Sequence, residues 1–323
     1  MIRAIVLVLG CFIGVAVLIR WLLASGIAQR IALDRPNERS LHELPVPRVG
    51  GLVLVSVAVI AMLIAAPSLR PPAALAAALM LLSAWDDRHG LPVALRLAAH
   101  LAAALAAAWL LLPASAPWVW LASMLALTWA MNLYNFMDGS DGLAGGMALI
   151  GFAALAIAAG GAAPELALAC AAVAAAAAGF LRHNFCPARV FLGDAGSIPL
   201  GFLAGALGLA GWAQARWPLW FPLLVFSPFV VDATFTLASR VARGHRPWHA
   251  HREHAYQRMV AGGFGHRGTA LAWYALMLAC AASALAALRS EASLQGWLLG
   301  GWGVVYVVLL AAVRVRFPVR ERR

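Results

Sequence analysis

Long apolar runs alternate along the chain with short polar or Pro/Gly-rich breaks, and this pattern predicts an all-α, polytopic transmembrane bundle. The runs lie near 4–24, 50–66, 72–85, 94–112, 118–134, 142–160, 165–181, 196–212, 218–239, 268–288 and 297–313, about eleven spans (10–11). Crossing a ~30 Å hydrocarbon core takes about 20 apolar residues, so the shorter runs have soft boundaries. The first run, broken only by Arg20, reads as a retained span, although Ala24-Ser25-Gly26 resembles a signal cleavage site. The Ala-rich stretches 73–79 and 171–178 suit close helix packing. No soluble domain, internal repeat or long linker interrupts the pattern, so residues 1–323 read as one integral-membrane domain.

Composition strengthens this reading. Of 323 residues 63% are apolar and 11% charged, far from soluble usage. The net charge of +11 comes from arginine alone, since the chain has no lysine. No nucleic-acid signature accompanies it, and contacts with membrane lipid or phosphate explain it better. Twenty of the 24 arginines fall in 20–49, 88–96, 182–189, 240–267 and 314–323. The positive-inside rule then places the N-terminus outside and the C-terminus in the cytoplasm. In this orientation only Glu165 and Glu291 of the thirteen acids lie outside. The four cysteines (Cys11, Cys170, Cys186 and Cys280) are far apart, with no metal-ligand spacing and no expected disulfide.

Five polar clusters fall on the expected cytoplasmic side. In NLYNFMDGSDGLAGG (132–146), Asn132, Asn135, Asp138 and Asp141 recur every three residues at a span end. A charge at a membrane helix centre costs about 2.5–3.5 kcal/mol, so this many hard oxygen ligands at a span end imply a cationic partner. Asp86-Asp87 ends the third span; neighbours on a helix point about 100° apart, so the two acids are expected to do different jobs. FLGDAGS (191–197) opens the eighth span with glycines that let backbone N–H groups approach a phosphate. There Asp194 or Ser197 is the expected helix cap, and Asp194 is also a candidate Mg²⁺ ligand. Past the ninth span, AHREHAYQR (250–258) brings His251, Arg252, His254 and Arg258, with Arg240, Arg243, His245, Arg246 and His249 upstream. Arginine forks suit phosphate oxygens, and His251 and His254 would share a face if helical. Before the second span, HELPVPRVGG (42–51) is a stiff, shaped loop in which His42 and Arg48 are placed to face a phosphate. Asp232, a lone acid within the ninth span, is expected to have a structural partner, with a substrate role as the alternative.

These motifs, in this order, resemble the bacterial polyprenyl-phosphate N-acetylhexosamine-1-phosphate transferases, glycosyltransferase family 4, relatives of the phospho-MurNAc-pentapeptide translocase. The resemblance runs from 42 to 258 and implies a cytoplasm-facing transfer of sugar-1-phosphate from a UDP-N-acetylhexosamine to undecaprenyl phosphate, releasing UMP. It implies Mg²⁺, with Mn²⁺ as an alternative, on Asp194 and Asn135. It implies that Asp86 binds or deprotonates the lipid phosphate beside Asp87. It assigns the nucleotide and metal side to Asn132, Asn135, Asp138 and Asp141, the uracil to Phe191, and the diphosphate or sugar to His251 and His254. Arg252 and Arg48 join the substrate-binding set, and a homodimer is compatible. AHREHAYQR, without the triple-histidine run of the peptidoglycan relatives, points to GlcNAc or a 6-deoxy-N-acetylhexosamine, and so to O-antigen-type lipopolysaccharide or cell-wall glycan assembly. His100, Arg96 and Ser140 depart from residues common in the family and leave sugar preference open. A peptidoglycan-type translocase is one alternative. An ion-coupled transporter is another, but it requires acids at mid-depth and a path to both faces.

Overall fold

A computed structural model describes residues 2–34, 44–246 and 251–318. His42 and His249 therefore lie outside the described residues. The chain is an all-α membrane protein with one small exception. Helices α1 (Ile2–Ala24) and α2 (Ile27–Ile31) lead into β1 (Leu33–Asp34), which pairs antiparallel with β2 (Val46–Pro47). The bundle continues through α3 (Gly50–Ala65), α4 (Arg70–His89), α5 (Val93–Leu111), α6 (Pro117–Phe136), α7 (Leu143–Ala159), α8 (Pro164–Asn184) and α9 (Asp194–Ala213). It ends with α10 (Trp220–Val225), α11 (Ser227–Ala242), α12 (Ala255–Met259), α13 (Gly265–Ala287) and α14 (Ala292–Arg316).

Long helical segments occupy all eleven apolar runs, and seven of the described helices are long and apolar enough to cross a membrane. The ninth run departs from expectation, because it breaks into α10 and α11 at Phe226. Pro228 cannot donate to the Leu224 carbonyl four residues back, and the Ser227 hydroxyl donates to that carbonyl instead, at 2.6 Å. The β1–β2 ribbon was not anticipated either. It is two residues long, and its pairing comes from chain return rather than from an apolar pattern.

Helix α9 is the axis of the fold: it packs on α3, α4 and α6 and is buried along most of its length. A Cβ on Gly51 would come within 2.3 Å of the Gly196 Cα, so the starts of α3 and α9 cross backbone to backbone. The periphery is apolar and exposed, as at Trp118 and Trp297, which suits a lipid surround. At one end of the bundle Glu165 accepts from the Ser68 N–H at 2.8 Å and hydroxyl at 2.6 Å, tying α8 to the α3–α4 turn. The other acids described below gather at the opposite end.

Candidate functional site

The site forms where α4, α6, α8 and α11 end and α3, α5, α9 and α13 begin. Its floor is two interlocked loops. The Phe191 N–H donates to the Pro47 carbonyl at 2.8 Å, and the Phe191 and Leu192 carbonyls accept from Gly50 and Gly51 at 3.0 and 2.9 Å. Gly193 turns the chain at φ 72°, a value favouring glycine, and precedes α9. The expected side-chain cap on α9 does not form. Instead the Gly193 carbonyl takes the Gly196 and Ser197 N–H groups, and the Ser197 hydroxyl accepts from the Asn135 amide at 3.2 Å. Asp194, in the first turn of α9, is well placed for the helix dipole.

Asp87, Asp138, Asp194 and Arg48 lie within one electrostatic neighbourhood. Asp87 stands past the apolar part of α4 with one side open to solvent. Surrounding protein and the Asp194 charge push its carboxyl up to about 6, with Arg48 opposing. Loss of water, then the Asp194 charge, pushes Asp138 well above the carboxylate range, against a Gly193 N–H bond and Arg48. Arg48 pairs with Asp34 at 3.8 Å, so acids outnumber cations here.

Asp86 is differently engaged. Its carboxylate accepts from the Leu91 N–H at 2.6 Å and from Arg96 at 3.0 Å, bracing the α4–α5 turn. The adjacent acids diverge, as the helical geometry anticipates: Asp86 is held by Leu91 and Arg96, while Asp87 lies in the field of Asp194. Asn132 turns back to the Thr128 carbonyl of its own helix at 2.7 Å. Asp141 holds neighbouring loops, accepting from the Ala188 N–H at 2.9 Å and lying 3.8 Å from His266. These two are not brought into the acid cluster.

A second cluster adjoins through Phe136, whose ring stacks on His254 at 6.3 Å and whose carbonyl accepts from the Tyr256 hydroxyl at 3.0 Å. Residues 251–254 are not helical, so His251 and His254 do not meet on a helix face. Their rings nonetheless lie 4.9 Å apart. Burial, then the neighbouring His254 and Arg240, lowers His251 to about 4, which leaves it a neutral imidazole. Asp232 has its structural partner: its carboxylate accepts from the Ala255 and Tyr256 N–H groups at 2.8 and 3.3 Å, capping α12 and fixing His254.

Arg240, Arg243 and Arg258 do not all face outward as free phosphate forks. Glu253 pairs with Arg240 and Arg243, and Arg258 lies 3.9 Å away. Burial alone would lift the Glu253 carboxyl, but Arg243 and Arg240 outweigh it and hold it low. Arg252 is partly buried on the same loop. Sequence reasoning missed Glu253, although a lone acid among arginines is the signature of an ion-pair hub. It also missed Asp34 and His266, for which only chain return supplies partners. His100, one turn past Arg96 on α5, lies in the field of Arg96, Asp194 and Asp86, and its Nδ1 has no partner among the described residues.

A magnesium-type ion fits this donor set. Among the described residues no three or more His, Cys, Asp or Glu side chains group at metal-binding spacing. Magnesium takes one or two carboxylates and completes its shell with water and phosphate oxygens. The crowding of Asp87, Asp138 and Asp194 supplies the negative field, and Asn135 spends only its NH₂ on Ser197, leaving its amide oxygen.

Comparison with known proteins agrees with this geometry. The family model described as "Glycosyl transferase family 4" matches residues 71–211, from α4 through α9. A probable undecaprenyl-phosphate N-acetylglucosaminyl 1-phosphate transferase of Bacillus subtilis is 29% identical over 280 residues, 78% of this chain and 78% of its own length. A decaprenyl-phosphate N-acetylglucosaminephosphotransferase of Mycolicibacterium smegmatis is 31% identical over 292 residues, 75% of this chain and 72% of its own. A phospho-N-acetylmuramoyl-pentapeptide-transferase of Synechocystis is 39% identical over 119 residues, 37% of this chain and 31% of its own. Since the family model falls on the helices that carry the acids and similarity runs through most of the chain, the chain belongs to glycosyl transferase family 4.

Proposed function

We propose that the protein transfers N-acetylhexosamine-1-phosphate from a UDP-sugar to undecaprenyl phosphate at the cytoplasmic face of the bacterial inner membrane. The carrying observation is the convergence of Asp87, Asp138 and Asp194 around Arg48 at one end of an apolar bundle. The relatives similar over three quarters of the chain are named for GlcNAc-1-phosphate transfer to a polyprenyl phosphate, whereas the pentapeptide-transferases match about a third. That contrast favours a small N-acetylated sugar, GlcNAc or a 6-deoxy relative, in an early step of lipid-linked glycan assembly.

Phosphoryl transfer needs in-line positioning and charge neutralisation more than covalent chemistry from the protein. An oxygen of the lipid phosphate attacks the β-phosphorus, the one that carries the sugar through its C1 oxygen. A new P–O bond forms, the P–O bond to UMP breaks, and UMP leaves with the electron pair as its phosphate. A magnesium ion held by Asp194 and Asn135 would neutralise charge on the diphosphate and the departing UMP. Asp87, beside Asp194 and open on one side, positions the acceptor phosphate, which is already largely ionised at neutral pH with a second pKa near ~6. Arg48 screens the acids from the incoming anions. Neutral His251 offers hydrogen bonds to the diphosphate without adding charge, and buried His254 lies beside it. Phe191 lies on the loop beneath and is the candidate uracil contact. The arginine distribution supports an outside N-terminus and a cytoplasmic C-terminus.

The direct test is release of UMP from UDP-GlcNAc by the purified protein with undecaprenyl phosphate and Mg²⁺. No UMP from any of a panel of UDP-N-acetylhexosamines would overturn the reading and leave ion-coupled transport as the next hypothesis. Asp194→Asn is expected to reduce turnover at least 10²-fold, the scale of losing a preorganised transition-state contact. Full activity in that variant would remove the metal assignment.

A further inference from the structure

Away from the acids, on the α1–α8 side of the same end, a cavity of about 690 Å³ is walled by Phe12, Ile13 and Val17 and rimmed by Arg20, Arg182 and Arg189. All three arginines are exposed, and among the described residues none has a carboxylate partner. The rim is also braced. His183 bonds through Nε2 to the Ala16 carbonyl of α1 at 2.9 Å, and its Nδ1 lies 2.9 Å from the Arg189 guanidinium. Holding both contacts requires a neutral ring that donates from Nε2 and accepts at Nδ1. The Arg189 N–H donates to the His183 carbonyl at 2.8 Å. Arg189 is thus fixed through backbone and side chain, and it belongs to the loop that continues into Phe191 and Gly193.

Three exposed guanidiniums with no carboxylate partner among the described residues call for an anion with several oxygens. An aromatic and aliphatic wall directly behind them calls for a hydrocarbon tail on that anion. A free inorganic anion would leave the wall unused, and a zwitterionic headgroup would leave the charge unmatched. We propose that this cavity is a binding site for an anionic phospholipid, its phosphodiester on Arg20, Arg182 and Arg189 and an acyl chain along α1. Basic pockets between membrane helices take anionic headgroups in this way. The occupant braces the 189–193 loop from outside the reaction site. The site is independent of the transfer reaction proposed above.

The experiment reads lipid binding, not turnover. Protein in neutral detergent is titrated with phosphatidylglycerol or phosphatidylcholine, following retained lipid by native mass spectrometry and Tm by thermal shift. Phosphatidylglycerol is expected to stay bound and raise Tm by a few degrees, because a ligand selective for the folded state stabilises it. Phosphatidylcholine is expected to do neither. Each arginine near a lipid surface is worth about 1 kcal/mol, so Arg20→Gln with Arg182→Gln should weaken phosphatidylglycerol roughly 25-fold. Arg216→Gln with Arg289→Gln, at the other end, should bind as wild type does. Should the double variant not fold, each single variant is expected to lose roughly fivefold. Undiminished binding in these variants, equal retention of phosphatidylcholine, or the same Tm rise from inorganic phosphate would each overturn the proposal. So would displacement of phosphatidylglycerol by equimolar undecaprenyl phosphate, since the cavity would then serve the acceptor.

Discussion

Asp86 and Asp87 stand about 100° apart around the last turn of α4, and that rotation separates a carboxylate bonded to Leu91 and Arg96 from one left facing Asp194. The consequences can be measured. Asp86→Asn is expected to lower Tm and retain part of the turnover, because it loosens a turn. Asp87→Asn is expected to abolish most turnover. The Asp87 carboxyl sits near 6 in the fold against its ordinary 3.8, so the folded protein binds more protons than the unfolded chain across that window. Its contribution to stability is complete at low pH and is lost as pH rises through 6. Asp87→Asn should therefore raise Tm at pH 7.5 and leave it unchanged at pH 4, and a Tm unchanged at both values would refute the assigned environment. The asparagines and acids of 132–141 were legible in the sequence as chemistry. Their division was not, since Asn132 and Asp141 are drawn off by Thr128, Ala188 and His266, partners that periodicity does not reveal.

At the scale of elements, two arrangements hold the site together. One is the crossing of α3 and α9, where an added Cβ at Gly51 meets backbone that cannot move aside. Gly51→Ala is expected to cost about 1–3 kcal/mol of stability, read by chemical or thermal denaturation in detergent, and to impair activity by prying the Phe191 loop from Pro47. The other is the Glu253 hub. Glu253→Ala strands three guanidiniums, two of them largely buried, and removing one partner of a buried pair costs about 3–5 kcal/mol. Because the folded state holds this carboxyl below its ordinary value, its stabilisation is present at neutral pH and disappears as pH falls. Wild type should therefore lose Tm on acidification while Glu253→Gln shows a flatter profile. Parallel profiles would argue that Glu253 is incidental. The α10–α11 break belongs to this scale too. Pro228 is plain in the sequence, but whether a proline kinks or splits a helix depends on what satisfies the freed carbonyl, and here Ser227 does.

For the whole molecule, the proposed orientation follows from arginine placement, and labelling at engineered single cysteines checks it. A probe that does not cross the inner membrane should modify position 290, between α13 and α14, from outside, and position 244, after α11, only after lysis. Labelling of position 244 in intact cells would invert the assignment and put the acids on the wrong side for a nucleotide-sugar donor.

The apolar runs alone determined that the protein is a helical membrane bundle and roughly where its long helices lie, because a bilayer-crossing chain must satisfy its backbone within each span. It also determined which residue types collect at one end, since charges are expelled to span ends. Tertiary packing decided the rest: which of two adjacent acids faces Asp194, which arginines are consumed by Glu253, and how His251 and His254 meet without a helix. Those outcomes turn on partners such as Asp87 and Asp194, Arg240 and Glu253, or Asp232 and Ala255, which lie too far apart in the chain for local pattern to record.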